Sequence, residues 1–166
     1  DVDYHFIDAD AAKVMIQNQE FIEAKFVHGT VYGTSVEELQ KSYDEQKIAL
    51  TDVDVQGVTE YKEVSQSVVA IFVIPPSYSI WRDRLAKRYE SAEAFEVEWG
   101  KRRSSAVSEL THALEVPYYH FIINDDLDRA VAVAEEISHR PDVFHRKDDE
   151  ARLRARDLLM AIQTSL

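Results

Sequence analysis

The chain has 166 residues, a net charge of −12 and no cysteine. The length favours one domain with a real core, and 45% hydrophobic residues are ordinary for a globular protein. The acidic balance argues against a general nucleic-acid partner, the absence of an apolar run of about 18 residues argues against a membrane span, and the lack of cysteine excludes disulfides.

The first part of the chain predicts a small lobe of mixed strands and helices. Asp8 is placed to cap a helix, and polar and apolar residues alternate over 20–26, as in a half-buried strand. Residues 31–33 are expected to return beside that strand. Ser35 and Glu38 have the spacing of a capping box, so we expect another helix to begin there.

The pattern then changes to apolar strands separated by helices. Residues 48–54, 68–74 and 119–124 read as strands, and the middle one is apolar on both faces. Strands of this kind predict a parallel sheet that helices cover on both sides. Helices are predicted at about 77–88, at about 94–115, from 125 or 126 onward, and at about 148–163.

Polar residues follow two of these strands. Ligands of open parallel sheets bind outside the carboxyl ends of the strands, which makes Asp52, Asp54 and Asn124 candidate site residues. The two aspartates are also typical of turns and helix caps, and that alternative stays open. No arginine precedes Arg82, and cations are then frequent over 82–103, which indicates either a solvated helix surface or a phosphate site.

Six blocks of sequence resemble guanylate kinase, in the same order and with similar gaps, from residue 3 to about residue 140. They are DYHF at 3–6, EFIE at 20–23, YGTS at 32–35, DVDVQG at 52–57, IFVIPPS at 71–77 and INDDLD at 123–128. The resemblance implies a single α/β domain over 1–166 with a P-loop kinase-like parallel-sheet core (43–84 and 104–166), a small GMP-binding lobe (1–42) and a helical lid (85–103). It implies transfer of the γ-phosphoryl group of ATP to GMP, with Mg²⁺, in a cytoplasmic protein whose partners are nucleotides and whose oligomeric state is open.

The resemblance assigns the GMP site to one set of residues, namely Tyr4, Glu23, Tyr32, Gly33, Thr34 and Asp52. Glu23 and Asp52 match the carboxylates that read the guanine edge, and Tyr4 and Tyr32 match the tyrosines that hold the GMP phosphate. The chemistry agrees, because guanine offers two donors, N1–H and N2–H, that a carboxylate accepts together. Adenine lacks this pair, so a carboxylate built for guanine discriminates against AMP.

The resemblance assigns the phosphoryl-transfer site to the arginines and to a strand end. Arg88 and Arg102 match lid arginines that reach the transferring phosphates, and Asn124 matches the residue beside the adenine of ATP. Asp54 is expected to orient water ligands of Mg²⁺ without binding the metal directly. Phosphoryl transfer needs positioning and positive charge more than covalent chemistry, which suits these residue types.

The sequence also departs from the family. The family opens with a strand and a loop G-x-x-G-x-G-K-[ST] that cradles the ATP phosphates, and the four glycines at 29, 33, 57 and 100 are not arranged in this way. We expect the natural protein to continue N-terminally and to supply that strand and loop. Ala24 stands where the family often has tryptophan, which also suits a non-catalytic guanylate-kinase-like domain that binds proteins. The intact Asp52–Asp54 and Asn124 motifs favour the kinase.

Overall fold

The structure is a computed structural model that describes residues 5–27, 30–143 and 145–165. Its contacts divide the chain into two compact units, Asp1–Val68 and Val69–Leu166. Among the described residues, no helix has both the length and the apolar character needed to cross a membrane. The boundaries predicted for the lobe, core and lid stay predictions.

Among its described residues, the first unit contains three helices and an antiparallel ribbon of two strands. In chain order they are α1 (Ala9–Gln17), β1 (Phe21–Val27), β2 (Thr30–Ser35), α2 (Val36–Asp44) and α3 (Val55–Val64). Two predicted helix starts are confirmed. Asp8 accepts a hydrogen bond from the backbone N–H of Ala11 at 2.7 Å, and Ser35 Oγ accepts one from Glu38 N–H at 3.2 Å.

The second unit contains a pair of parallel strands and four α-helices among its described residues. These elements are β3 (Ala70–Ile74), α4 (Tyr78–Ala86), α5 (Ala92–Glu115), β4 (Tyr119–Ile123), α6 (Leu127–His139) and α7 (His145–Thr164), with a 3₁₀ turn at Pro141–Val143. The strands pair in parallel from Ala70 opposite Tyr119 to Ile74 opposite Ile123. The predicted parallel arrangement of these two strands is therefore confirmed.

The core of the second unit lies around this strand pair. Ile74 and Phe121 are each 1% exposed, and Ile137 on α6 is fully buried. Ile122 and Ile137 form an apolar cluster with Ala130, against which partly buried side chains of β3 and α6 pack. Helix caps are provided by Ser77 for α4 and Asp126 for α6, as their positions in the sequence predict.

One prediction about the middle of the first unit is wrong, and one helix there was not predicted. Residues 48–54 form no strand, and Ile48 and Leu50 are 50% and 83% exposed. A strand requires a partner for its backbone N–H and C=O groups, and an apolar run alone does not provide one. The helix α3, which follows directly, was not predicted, although Asp54 occupies the position of its N-cap.

Candidate functional site

One face of the β1–β2 ribbon carries three of the six residues predicted for the GMP site, namely Glu23, Tyr32 and Thr34. Glu23 pairs with Thr34 and Lys25 pairs with Tyr32 across the two strands. Because alternate residues of a strand share a face, these four side chains lie on the same side of the ribbon. Thr34 Oγ1 donates a hydrogen bond of 3.1 Å to Glu23 Oε1, which fixes the half-buried carboxylate in one orientation.

Gly33 lies between these pairs, opposite Ala24. A Cβ atom at this position would lie 2.5 Å from the backbone oxygen of Glu23 and 2.9 Å from Cδ1 of Phe21. Both distances are shorter than ordinary van der Waals contact, so only glycine lets β2 approach β1 this closely. Gly33 therefore supports the position of Glu23 through the backbone.

Asp54 is held by three donors. Its Oδ1 accepts hydrogen bonds from the backbone N–H groups of Gln56 at 3.1 Å and Gly57 at 2.9 Å, and it forms an ion pair with Lys25 Nζ. Partial burial raises the pKa of Asp54, but the hydrogen bonds from Lys25 and Gly57 outweigh this effect and the pKa is lowered. The carboxylate is thus an N-cap of α3 and also the contact between α3 and the ribbon.

The remaining residues predicted for the GMP site are placed differently. Asp52 is exposed in the irregular segment before α3, and it is Asp54, not Asp52, whose side chain contacts the ribbon. Tyr4 lies outside the described residues. The structure thus brings Glu23, Tyr32 and Thr34 onto one face and connects that face to the Asp52–Asp54 segment.

The second unit has a cavity at the carboxyl ends of β3 and β4, where ligands of such sheets bind. Its volume is about 220 Å³, and it is lined by Val73, Ile74, Pro75, Trp81, Arg84, Leu85, Arg88 and Asn124. Arg88 and Asn124, which were predicted to contact ATP, therefore line the same cavity. Arg84 was not predicted as a site residue, although it belongs to the same cationic run, and its Nη1 donates to the backbone oxygen of Asn124 at 2.8 Å.

Arg102 lies on α5 and does not line this cavity. Its Nε donates a hydrogen bond of 3.0 Å to the hydroxyl of Tyr89, whose ring packs against Phe95 at 5.6 Å between centroids. This bond uses Nε and leaves the two terminal amino groups of the guanidinium available. The sequence predicted no role for Tyr89, so this contact was missed at the level of the sequence.

The described residues show no cluster of three or more His, Cys, Asp or Glu side chains that could hold a metal ion. Asp54, the residue predicted to act near Mg²⁺, already has Oδ1 occupied by an ammonium group and two backbone donors. The other carboxylate oxygen, Oδ2, takes part in none of these contacts, and a role of Asp54 near Mg²⁺ stays a prediction.

The parallel strand pair with a cavity at its carboxyl ends, and the antiparallel ribbon with its carboxylate and hydroxyl groups, are consistent with a P-loop kinase-like α/β fold. A crystal structure of guanylate kinase from Anaplasma phagocytophilum matches with a TM-score of 0.55 and 28% identity, over 83% of this chain and 62% of that chain. The family model for guanylate kinase matches residues 1–140, so the chain belongs to the guanylate kinase family.

Individual relatives agree with this assignment. The guanylate kinase of Alkalilimnicola ehrlichii is 33% identical over 132 residues, which cover 79% of this chain and 62% of the relative. The guanylate kinase of Nitrosospira multiformis is 36% identical over 130 residues, which cover 78% of this chain and 59% of the relative. The chain thus spans less than two thirds of the length of these relatives.

Proposed function

We propose that the full-length protein is a guanylate kinase, which transfers the γ-phosphoryl group of ATP to GMP. The observation that carries the proposal is the ribbon face on which Thr34 orients the carboxylate of Glu23. The relatives named above are called guanylate kinase, which favours an enzyme over a non-catalytic interaction domain. A cytoplasmic location stays a prediction.

Glu23 is proposed to read the base. Its carboxylate accepts from the N1–H and N2–H of guanine, while the hydroxyl of Thr34 holds it in place from the side. AMP presents no such donors, so it would leave the carboxylate without partners in a closed site, which costs orders of magnitude in affinity. Tyr32 and Tyr4 are proposed to hold the GMP phosphate.

A second carboxylate for the base is proposed to come from the segment before α3. The resemblance names Asp52, whereas the structure connects Asp54 to the ribbon. The two assignments are separated by comparing Asp52→Asn and Asp54→Asn in the full-length protein. The variant with the larger rise in KM for GMP, at unchanged KM for ATP, identifies the carboxylate that contacts the base.

The arginines of the second unit are proposed to act on the phosphates. Arg88 lies in the cavity with Asn124, which is proposed to contact the adenine of ATP. Arg102, whose Nε bonds to Tyr89, is proposed to use its two terminal amino groups to stabilise the developing negative charge of the transferring phosphoryl group. Mg²⁺ on the ATP phosphates would neutralise charge, and Asp54 is proposed to contact that ion only through water.

The proposal is tested with Glu23→Gln in the full-length protein. The amide loses the charge and one acceptor, so we expect KM for GMP to rise at least about 10-fold, as for the loss of a hydrogen bond to a charged group, while KM for ATP changes less than about 2-fold. Glu37→Gln, at an exposed position of α2, is the matched control and should leave both constants unchanged. Equal increases for GMP and ATP in Glu23→Gln would contradict the base-reading role.

A further inference from the structure

Lys25 has no role in the resemblance or in the proposed reaction, yet it makes the contact that joins two parts of the first unit. It lies on β1, opposite Tyr32 and two positions after Glu23. Its ammonium group pairs with Asp54, which is 29 residues further along the chain. The side chains of Lys25 and Asp54 are 29% and 44% exposed, so the contact is partly open to solvent.

The position of Lys25 follows from strand geometry. Alternate residues of a strand are about 6.6 Å apart on one face, so Lys25 stands beside Glu23 and directs its long side chain past the ribbon. Asp54 uses the same oxygen to cap α3. The ion pair therefore fixes both the beginning of α3 and the carboxylate segment before it against the face that carries Glu23.

The positive charge of Lys25 also contributes to the arrangement of the proposed site. The proposed GMP site places Glu23 and a second carboxylate near one base, and like charges at short range repel. The ammonium group offsets the charge of Asp54 and lets these carboxylates approach one ligand. A partly exposed ion pair adds little to stability, so the effect of Lys25 is expected in ligand selection and not in folding.

We propose that Lys25 is a positioning residue for guanine selectivity, which holds the Asp52–Asp54 segment where one of its carboxylates meets the 2-amino group of GMP. The inference rests on the proposed function. It divides base recognition into two parts. Glu23 accepts from N1–H, which GMP shares with inosine 5′-monophosphate, and from one hydrogen of the 2-amino group. The segment held by Lys25 accepts from the other hydrogen of that group, which inosine 5′-monophosphate lacks.

The experiment measures dissociation constants of GMP and inosine 5′-monophosphate by calorimetry in the full-length protein. Lys25→Met should weaken GMP binding about 10-fold or more, as for loss of a charge-assisted hydrogen bond, and weaken inosine 5′-monophosphate binding less than about 2-fold. Lys25→Arg should restore the preference for GMP. Lys41→Met, at an exposed lysine of α2, should behave as wild type.

Other outcomes overturn the inference. Equal weakening of both nucleotides by Lys25→Met would show a general structural role, and unchanged binding would show no role. If Lys25→Met does not fold, Lys25→Gln is measured in its place, with circular dichroism as the check. If the wild-type protein binds GMP and Lys25→Met keeps its selectivity, only the role of Lys25 is rejected, whereas a wild-type protein that binds no GMP rejects the proposed function itself.

Discussion

The two units of the chain hold their candidate residues by different means. In the second unit, Arg88 lies in the turn after α4 and Arg102 lies on α5, and the apolar core of that unit includes fully buried Ile137. In the first unit, the buried apolar side chains among the described residues are only Ala12 and Tyr61. The ribbon therefore depends on strand pairing and on polar contacts. We expect changes in charge or in strand spacing to affect its site more than they would affect a site that a packed core supports.

The units also differ in charge. Every arginine of the chain lies in the second unit, and the first unit has only lysines among many carboxylates. This division suits the proposed reaction, since a base with two donors is read by acceptors and phosphates are held by cations. In the proposed reaction, the first unit selects the base, which requires accurately placed acceptors. The second unit holds phosphates, which requires positive charge at fixed positions.

The largest expected effect tests the packed core. Ile137→Ala removes a fully buried side chain from the cluster with Ile122 and Ala130, so the free energy of unfolding should fall by about 2–5 kcal/mol. Urea denaturation measures the change. Val131→Ala on the same helix is the control, because Val131 is 57% exposed and should cost far less. Equal losses would show that the second unit does not depend on this core.

The next effect tests charge in the second unit. Arg102→Ala should lower kcat at least about 100-fold, because a preorganised donor to the developing phosphate charge is lost. Steady-state kinetics of the full-length protein give the value. The neighbouring Arg103, which donates to the backbone oxygen of Ser165, provides the control Arg103→Ala with little change in kcat. An unchanged kcat in Arg102→Ala would remove Arg102 from the proposed lid.

A smaller effect tests geometry in the first unit. Gly33→Ala places a methyl group 2.5 Å from the backbone oxygen of Glu23, and the strands must separate to admit it. We expect a loss of stability of about 1–3 kcal/mol, as for other overpacked sites, with weaker GMP binding. Gly100→Ala meets no atom within 4 Å and is the control. Normal GMP affinity in Gly33→Ala would show that the ribbon tolerates wider spacing.

The smallest effect tests the polar contact of the first unit. The pKa of Asp54 in the folded protein lies below its ordinary value of 3.8, so its charge stabilises the fold above that pH, and this contribution is lost as pH falls through the lowered pKa. Solvent screening limits the contribution to less than about 1 kcal/mol. Asp54→Asn keeps a capping acceptor and removes the charge, so wild type and variant should differ at pH 6 and converge below pH 3.8.

The control for this pH dependence is ionic strength. The advantage of wild type over Asp54→Asn at pH 6 should shrink in about 1 M NaCl, where the Debye length is about 3 Å. A difference that persists at low pH and at high salt would show that capping, and not the charge of Asp54, separates the two proteins.

Local signals in the sequence predicted much of the fold. Asp8, Ser35, Ser77 and Asp126 each cap the helix that was expected, because a cap depends on a few adjacent residues. The parallel pairing of β3 and β4 also followed from their apolar sequences. The strand predicted at residues 48–54 was wrong, because strand formation depends on a partner elsewhere in the chain. The pattern of one segment contains no information about that partner.

The candidate site could also be predicted only in part from the sequence. The resemblance supplied Glu23, Tyr32 and Thr34, and their register on one ribbon face agrees with a shared role. The ion pair of Lys25 and the bond from Arg102 to Tyr89 were not predicted. Both join residues far enough apart in the sequence that only the folded backbone brings them together, and both involve residues for which the family pattern names no function.

Helix α7 lies beyond the residues that the family model matches, yet it packs against α5 and β4 within the second unit. Its Ala155 and Ile162 are almost completely buried. Arg152 donates to the backbone oxygens of Leu114 and Tyr119 and lies 4.8 Å from the centre of the Phe121 ring. The region that matches the family therefore ends before the packed unit does. A chain that ended at residue 140 would still contain the whole region matched by the family model, but it would expose the interior of the second unit.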